Sequence, residues 1–231
     1  MLSFVLLQAL SSTYIFPVLN AWNQARNMET SLLQIPVFQR LKAYDKKTYG
    51  ILLAEIENSL KKGNDESEII SVVREHIAKL IQQRLPSASD EAVITYMKTM
   101  LVEMAELNQL GGDLCFRFIF PQQSGGAIDS TKYLSKRTQE ADLAALAEVI
   151  RTSAENPQPV PQESDVVSHL DPIYAELVKE HGEEIAMLQN PTGANVDKHK
   201  VCVLAADFYT RILKLPTQEG SKVIRFLLSK E

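Results

Sequence analysis

The sequence predicts an all-α protein, an irregular multi-helix bundle of about seven to nine helices with a hydrophobic helix at its N-terminus. Two observations carry this prediction. Apolar residues recur at close to the 3.6-residue helical period along almost the whole chain, and glycine, proline and capping residues separate the periodic stretches. The composition, 45% hydrophobic and 23% charged over 231 residues, is that of a globular protein rather than a disordered one.

Residues 1–25 form an uncharged segment that ends just before Arg26, the first charged side chain. Its length is sufficient for a bilayer span, which needs about 20 apolar residues. Polar residues such as Gln8 and the helix-bending Pro17 interrupt it, and it lacks the basic start of a signal peptide. Trp22 close to Arg26 is typical of a membrane–water boundary. We interpret residues 1–25 as an uncleaved anchor, and the alternatives are a signal-like segment or an N-terminal helix of a soluble domain.

Three helices with short connections are predicted in the first half of the remaining chain. The first ends at Gly63, the second is closed by Pro86, and the third begins at the N-cap Ser89 and ends at Gly111 and Gly112. The apolar stripes are Tyr49, Leu52, Leu53, Ile56 and Leu60 in the first, Ile69, Val73, Ile77, Leu80 and Ile81 in the second, and Val93, Met97, Met100, Met104 and Leu107 in the third. Short connections favour antiparallel packing of neighbouring helices.

The second half predicts further helices and one internal boundary. A helix striped by Leu, Ala and Ile is followed by three prolines within residues 156–162, which form either a semi-rigid linker between lobes or a strap across one domain. We favour the strap, and therefore a single helical domain over residues 30–231. Beyond the prolines, a helix is expected to end near Gly182, a short one follows, and two helices close the chain. The first of these is capped by Asp197 and the second begins at Pro216.

The segment DLCFRFIFP departs from this pattern. Phe116, Phe118 and Phe120 alternate as on a strand, yet one side of a helical turn fits equally well, so the period alone does not choose. Arg117 lies among them, and a buried guanidinium needs an anionic or aromatic partner. If the segment is helical, Asp113 lies four residues away and can supply it. We interpret these five residues as a structural plug, and the alternative is recognition of an external carboxylate or phosphate by Arg117.

The chain contains two cysteines, Cys115 and Cys202. Outside a reducing compartment an even pair is expected to form a disulfide, whereas in the cytosol two buried free thiols are the default. Cys115 lies in the aromatic segment and Cys202 on the apolar face of a predicted helix, so both are expected to point into the same core. We therefore predict a disulfide between them, and free thiols are the alternative if residues 1–25 are not an anchor.

The sequence predicts no catalytic, cofactor-binding or metal-binding residues, and we favour a protein without enzymatic activity. It has no nucleotide-binding glycine loop, no HExxH and no GxSxG. The nearest approach to metal-ligand spacing is Asp197, His199 and Cys202, which one short helix cannot easily close into a site. Glu140 and Asp142 read as ordinary solvated acids. The formal net charge of −5 argues against a nucleic-acid partner.

Six strings along the chain form a pattern, namely VFQRLKAYDKKTYGILLAEI, SASDEAVITYMKTMLVEM, DLCFRFIFP, NPQPVP, AMLQNP and KVCVLAADFYTRILKLP. Over residues 30–230 they resemble a family of uncharacterised proteobacterial helical proteins with hydrophobic N-termini. Automatic labels in that group sometimes read topoisomerase II, which these residues do not support, because such an enzyme needs a nucleotide pocket, an acidic metal cluster and a far longer chain. The resemblance implies that the cysteines in DLC and KVC belong to the family pattern, and that a membrane-linked or exported location is natural.

These observations predict a membrane-tethered or exported helical protein that binds or scaffolds another protein of the bacterial envelope. Residues 1–25 would contact the membrane, and the location would be the inner membrane or the periplasm. One alternative is a small hydrolase or ligand-binding enzyme with a site near Arg117. The other is a soluble cytoplasmic helical protein with two free thiols. No cofactor is expected in the favoured interpretation.

Overall fold

Ten α-helices and no β-strand make up the part of the chain that the computed structural model describes, which is residues 28–64, 66–121, 128–191, 193 and 196–229. The helices are α1 (Met28–Leu32), α2 (Pro36–Tyr44), α3 (Lys46–Lys61), α4 (Glu66–Arg84), α5 (Asp90–Gln109), α6 (Leu114–Ile119), α7 (Lys136–Glu155), α8 (Val167–His181), α9 (Lys198–Ile212) and α10 (Thr217–Ser229). A 3-10 helix, Gly182–Leu188, directly follows α8. The all-α prediction is confirmed for these residues.

The helix count exceeds the predicted seven to nine because two of the helices are very short. α1 has 5 residues and α6 has 6, which is too few for a 3.6-residue period to stand out from a strand pattern. The predicted hydrophobic helix in residues 1–25 lies outside the described residues. Within the described part of the chain, no helix combines the length and apolar character that crossing a membrane requires.

The helix boundaries are set by local capping chemistry, and the main ones were predicted. The Ser89 hydroxyl accepts a hydrogen bond of 3.3 Å from the backbone N–H of Ala92, and the Asp197 carboxylate accepts one of 3.0 Å from that of Lys200. Each bond satisfies a donor that the first helical turn leaves unpaired. At the C-terminal end of α8, Gly182 adopts φ +58°, a conformation that glycine reaches without a Cβ clash.

The long helices α5 and α7 lie at the centre of the packing. α5 packs against α6, α7, α9 and α10, and α7 also packs against α2 and α4. A helix with neighbours on several sides has little solvent-facing surface. The buried residues of α5 are Ala92, Val93, Ile94, Tyr96, Met97, Thr99, Met100, Glu103, Met104 and Leu107. This packing places polar residues of both helices in the interior.

The proline-rich residues 156–162 run without helix between α7 and a short 3-10 turn. The backbone N–H of Gln158 donates a hydrogen bond of 2.8 Å to the carbonyl of Ser87, which lies just before α5. Pro159 and Pro161 line a cleft of about 350 Å³ together with Asp90 and other residues. The buried apolar residues on both sides of this stretch belong to one cluster. The segment therefore lies against the turn that precedes α5 and against the start of α5.

Candidate functional site

A disulfide joins α6 to α9 through Cys115 and Cys202. Their Cα atoms are 6.1 Å apart, and 87 positions separate them in the sequence. The segment DLCFRFIFP is helical over Leu114–Ile119, which settles the choice that the sequence period left open. Both cysteine side chains are buried, with exposures of 3% and 1%. The structure thus brings the predicted cysteine pair together inside the core that α6 and α9 share.

The aromatic segment around Cys115 packs into the interior. Phe116, Phe118 and Phe120 are all buried, and the ring centroids of Phe116 and Phe120 are 4.9 Å apart. Aromatic pairs at this separation stabilise a core beyond the area they bury. The three side chains therefore occupy the position of a plug between α6 and its neighbours, and none of them is available on the surface for recognition.

The helical spacing suggested a pair between Asp113 and Arg117, but the structure does not contain it. Asp113 forms an ion pair of 3.2 Å with Lys198, whose ammonium also lies 5.4 Å from the ring centroid of Phe116. Asp113 precedes α6 instead of belonging to its first turn, so the side-chain geometry of an i,i+4 helical pair does not apply. Arg117 is half-buried, and no described residue forms a side-chain hydrogen bond or ion pair with it. Among the described residues, then, no acid or histidine is hydrogen-bonded to Arg117.

The most unusual polar groups are two buried acids, Glu103 on α5 and Asp142 on α7. Their exposures are 0% and 1%, and none of their four carboxyl oxygens has a hydrogen-bond partner among the described residues. Burial raises the pKa of both groups well above the ordinary values of 4.5 and 3.8, and the nearby charge of Asp142 raises the pKa of Glu103 further. The interpretation of Asp142 as a solvated acid was wrong, because the face of α7 that carries it is buried.

A cleft of about 550 Å³ opens between α5 and the start of α7, next to the acid pair. It is lined by Thr95, Lys98, Thr99, Val102, Glu106, Ser135, Arg137, Thr138 and Ala141. Val102 and Ala141 directly precede Glu103 and Asp142 in the sequence. The acid pair therefore lies on the buried side of the same helix turns whose outer side forms the wall of the cleft.

The pKa of Glu106, which lies one helical turn after Glu103, is shifted in the opposite direction. The Glu106 carboxylate accepts hydrogen bonds of 2.7 Å from the Ser135 backbone N–H, 2.9 Å from the Ser135 hydroxyl and 2.5 Å from the Thr138 hydroxyl. Partial burial acts to raise the pKa of Glu106, but these hydrogen bonds outweigh it and lower the pKa. The environments of Glu103 and Glu106 therefore shift the pKa values of two neighbouring carboxyl groups in opposite directions, a pattern found in many functional sites.

A second polar cluster joins α8 to α9 on the surface. Ligand-type atoms of Glu180, His181 and Asp207 all lie within 4.8 Å of one another. The Arg211 guanidinium, however, forms ion pairs with Asp207 at 3.0 Å, with Glu176 at 2.9 Å and with Glu180. Partial burial acts to raise the pKa of Asp207, and the hydrogen bonds from Arg211 and His181 lower it overall. Arginine is already the cation of this cluster, which serves as an ion network between two helices.

The sequence spacing of Asp197, His199 and Cys202 does not form a ligand set. Asp197 caps α9, and Cys202 is in the disulfide. Comparison with known proteins found no matching family model, no matching curated protein and no matching solved structure. Among the described residues, the disulfide and the acid pair are the two features that need a functional explanation.

We expect the acid pair to make the folded state less stable as the pH rises. The protonated forms provide their full stability below the ordinary carboxyl pKa values of 4.5 and 3.8, and that stability is lost as the pH rises through the raised pKa of the folded state. Between its ordinary pKa and its raised pKa, each group should lower the free energy of unfolding by about 1.4 kcal/mol per pH unit. The free energy of unfolding is measured with urea from pH 5 to 8 in the presence of a chelator. Its decrease with pH should be smaller in Glu103→Gln by the contribution of one group. Glu140→Gln, at an exposed position of α7, is the matched control, and an unchanged slope in Glu103→Gln would refute this account of the pair.

Proposed function

We propose that this protein is a helical binding or scaffold domain of the bacterial envelope, working on the oxidising side of the inner membrane. The observation that supports this most is the disulfide between Cys115 and Cys202. Reducing systems keep cysteines as thiols in the cytosol of most bacteria, whereas disulfides persist in the periplasm. The proposal agrees with the interpretation of residues 1–25 as a membrane anchor and with the resemblance carried by residues 30–230.

Binding, rather than catalysis, is favoured by the character of the described surface. Val167, Tyr174 and Val178 are 40–41% exposed, and their spacing of seven and four places them on one side of α8. An apolar stripe of this kind provides contact area for a protein partner. The half-buried Arg117, by contrast, has no described acid or base hydrogen-bonded to it that could act in hydrolysis. We infer that the partner is another envelope protein, contacted through a surface that includes this stripe.

The compartment is tested by trapping thiols in the native host. Cells are acid-quenched, and denatured protein is alkylated with a maleimide reagent of high mass before and after reduction. We expect the full chain to gain no mass before reduction and two additions after it. A Cys202→Ala variant should gain one addition without reduction, which proves that Cys115 can be labelled. A chain lacking residues 1–25 should remain in the cytosol and show two additions at once. Two free thiols in the full chain would overturn the proposed compartment.

The binding role is tested by photo-cross-linking in intact cells. Tyr174 is replaced by a photo-reactive amino acid, and Ile51, exposed to 44% on α3, receives the same replacement as the control. We expect a discrete adduct in the membrane fraction from position 174 and not from position 51. A Val178→Asp change should abolish this adduct. Equal adducts from both positions, or none from position 174, would count against a partner on α8.

A further inference from the structure

The buried acid pair Glu103 and Asp142 has no described basic group to neutralise it. An ionised carboxylate in a protein interior is stable only when it is paired with a cation or hydrogen-bonded. No described ion pair or hydrogen bond joins either acid to an arginine or lysine, and this includes Arg117 on α6. Four arginines on α2, α4, α7 and α10 have other partners. Arg40 pairs with Glu148, Arg84 with Asp45, Arg151 with Glu148 and Glu155, and Arg225 with Asp90. The nearest further charge is that of Glu106, which is also negative and raises the pKa of Glu103.

Such a pair can be neutralised in two ways, by protons or by a metal cation. Protons suffice at low pH, but two carboxylates together also match the charge of one divalent ion. We propose that Glu103 and Asp142 form a binding site for a divalent cation of Mg²⁺ type, which enters in exchange for the protons that the pair holds. One cation enters and two protons leave to solvent, so the charge of the interior does not change. The inference does not depend on the compartment of the protein.

The chemistry of the donor set selects the class of cation. Both residues offer only carboxyl oxygens, which suit Mg²⁺, Mn²⁺ and Ca²⁺ better than the softer metals that cysteine and histidine attract. Mg²⁺ is commonly held by one or two carboxylates and keeps several of its water molecules. Two residues on facing helices supply this number. Ca²⁺ requires six to eight oxygen ligands, so it is expected to bind less tightly here.

A cleft lies on the outer side of the helix turns that carry the acid pair, and neither acid lines it. Its wall contains the hydroxyl groups of Thr99, Ser135 and Thr138 and the carboxylate of Glu106, which lie on α5 and at the start of α7. Lys98 and Arg137 also line the cleft, but both are exposed, so solvent and salt screen their charges.

The surface cluster on α8 and α9 shows by contrast what a neutralised acid group looks like in this protein. There Glu180 and Asp207 surround the Arg211 guanidinium, and Asp207 accepts hydrogen bonds from Arg211 and His181. The pair Glu103 and Asp142 has equal need of a counter-charge, is far more buried, and has no such partner among the described residues. The difference points to an external cation at the buried pair and to none at the surface cluster.

The experiment measures cation binding directly on the purified full chain. Chelator-treated protein is titrated with Mn²⁺ at pH 8, bound ion is counted by electron paramagnetic resonance, and Mg²⁺ is used as competitor. We expect one Mn²⁺ per chain in wild type, displaced by Mg²⁺. Glu103→Gln and Asp142→Asn should each bind at least tenfold more weakly, and Glu140→Gln should bind as wild type does. Calorimetry in buffers of different ionisation enthalpy should show protons released on binding, and the affinity should rise with pH.

Two results would overturn the proposal. One is the absence of stoichiometric Mn²⁺ binding to wild-type protein at pH 8, which would mean that the pair holds protons only. The other is binding that persists unchanged in both Glu103→Gln and Asp142→Asn, which would place the ion elsewhere. Because glutamine and asparagine have nearly the volume of the acids they replace, both variants are expected to fold. Their circular dichroism spectra and unfolding curves in chelator provide the check.

Discussion

Replacing both Cys115 and Cys202 by alanine is expected to lower the free energy of unfolding by about 4 kcal/mol. The cross-link spans 87 positions, so it removes a large share of the conformational freedom of the unfolded chain. Alanine suits this comparison because both positions are buried among apolar residues and would not tolerate an unpaired hydroxyl. Equilibrium urea unfolding of wild type and of the double variant, followed by circular dichroism, measures the difference.

The control for this prediction is reduction of the wild-type chain. Reductant should shift the wild-type unfolding midpoint most of the way to that of the double variant, and it should leave the double variant unchanged. The single variants Cys115→Ala and Cys202→Ala should both resemble reduced wild type, because each removes the cross-link while leaving one small buried thiol. If reductant leaves the wild-type midpoint where it is, the cross-link contributes no stability, and the assumption that it limits the unfolded chain is wrong.

The features that sequence predicted well depend on residues close together in the chain. Ser89 and Asp197 cap the first turns of α5 and α9 through hydrogen bonds to backbone groups three residues away. The glycine at 182 ends α8 in the left-handed region for the same local reason. Caps and stripes are determined within one or two helical turns, so a single sequence contains what is needed to locate them.

The features that sequence missed depend on contacts between distant helices. Asp113 pairs with Lys198, which lies 85 positions along the chain, and its nearer candidate partner Arg117 has no part in that pair. Asp142 was expected in solvent, but α7 has α2, α4 and α5 as neighbours, so its acid-bearing face is inside. A charge next to an apolar stripe is the only local sign of such a position, and many solvated charges share it.

The candidate site was therefore predicted in one part and missed in the other. The cysteine pair could be predicted because the chain offers a single possible pairing, and both cysteines belong to apolar patterns. Glu103 could not be identified, although Met100, Met104 and Leu107 of the predicted stripe surround it, because nothing local indicates which second face of α5 is covered. Only the packing of α5 against α7 brings Glu103 near Asp142.

Arg225→Met is expected to lower the free energy of unfolding by about 3 kcal/mol. Arg225 on α10 is 3% exposed, and its guanidinium forms an ion pair of 2.7 Å with Asp90 and donates a hydrogen bond of 2.6 Å to the carbonyl of Ala88. Methionine keeps much of the aliphatic volume but removes the charged donor of this carbonyl and carboxylate, while Asp90 still accepts a hydrogen bond of 2.6 Å from the Ser221 hydroxyl. The Asp90 side chain is 30% exposed and can regain some water, so the effect should fall at the lower end of the range for broken buried pairs.

A double-mutant cycle separates the ion pair from the packing of the side chain. Unfolding is measured for Arg225→Met, Asp90→Asn and the combination, with Lys222→Met on the same helix as a control that should change stability by less than about 0.5 kcal/mol. If the pair matters, the combination should cost less than the sum of the two single changes, because removing Arg225 no longer strands a carboxylate. Additive costs would show that the ion pair with Asp90 contributes no stability, and that the buried arginine acts through its aliphatic stem and its hydrogen bond to the Ala88 carbonyl.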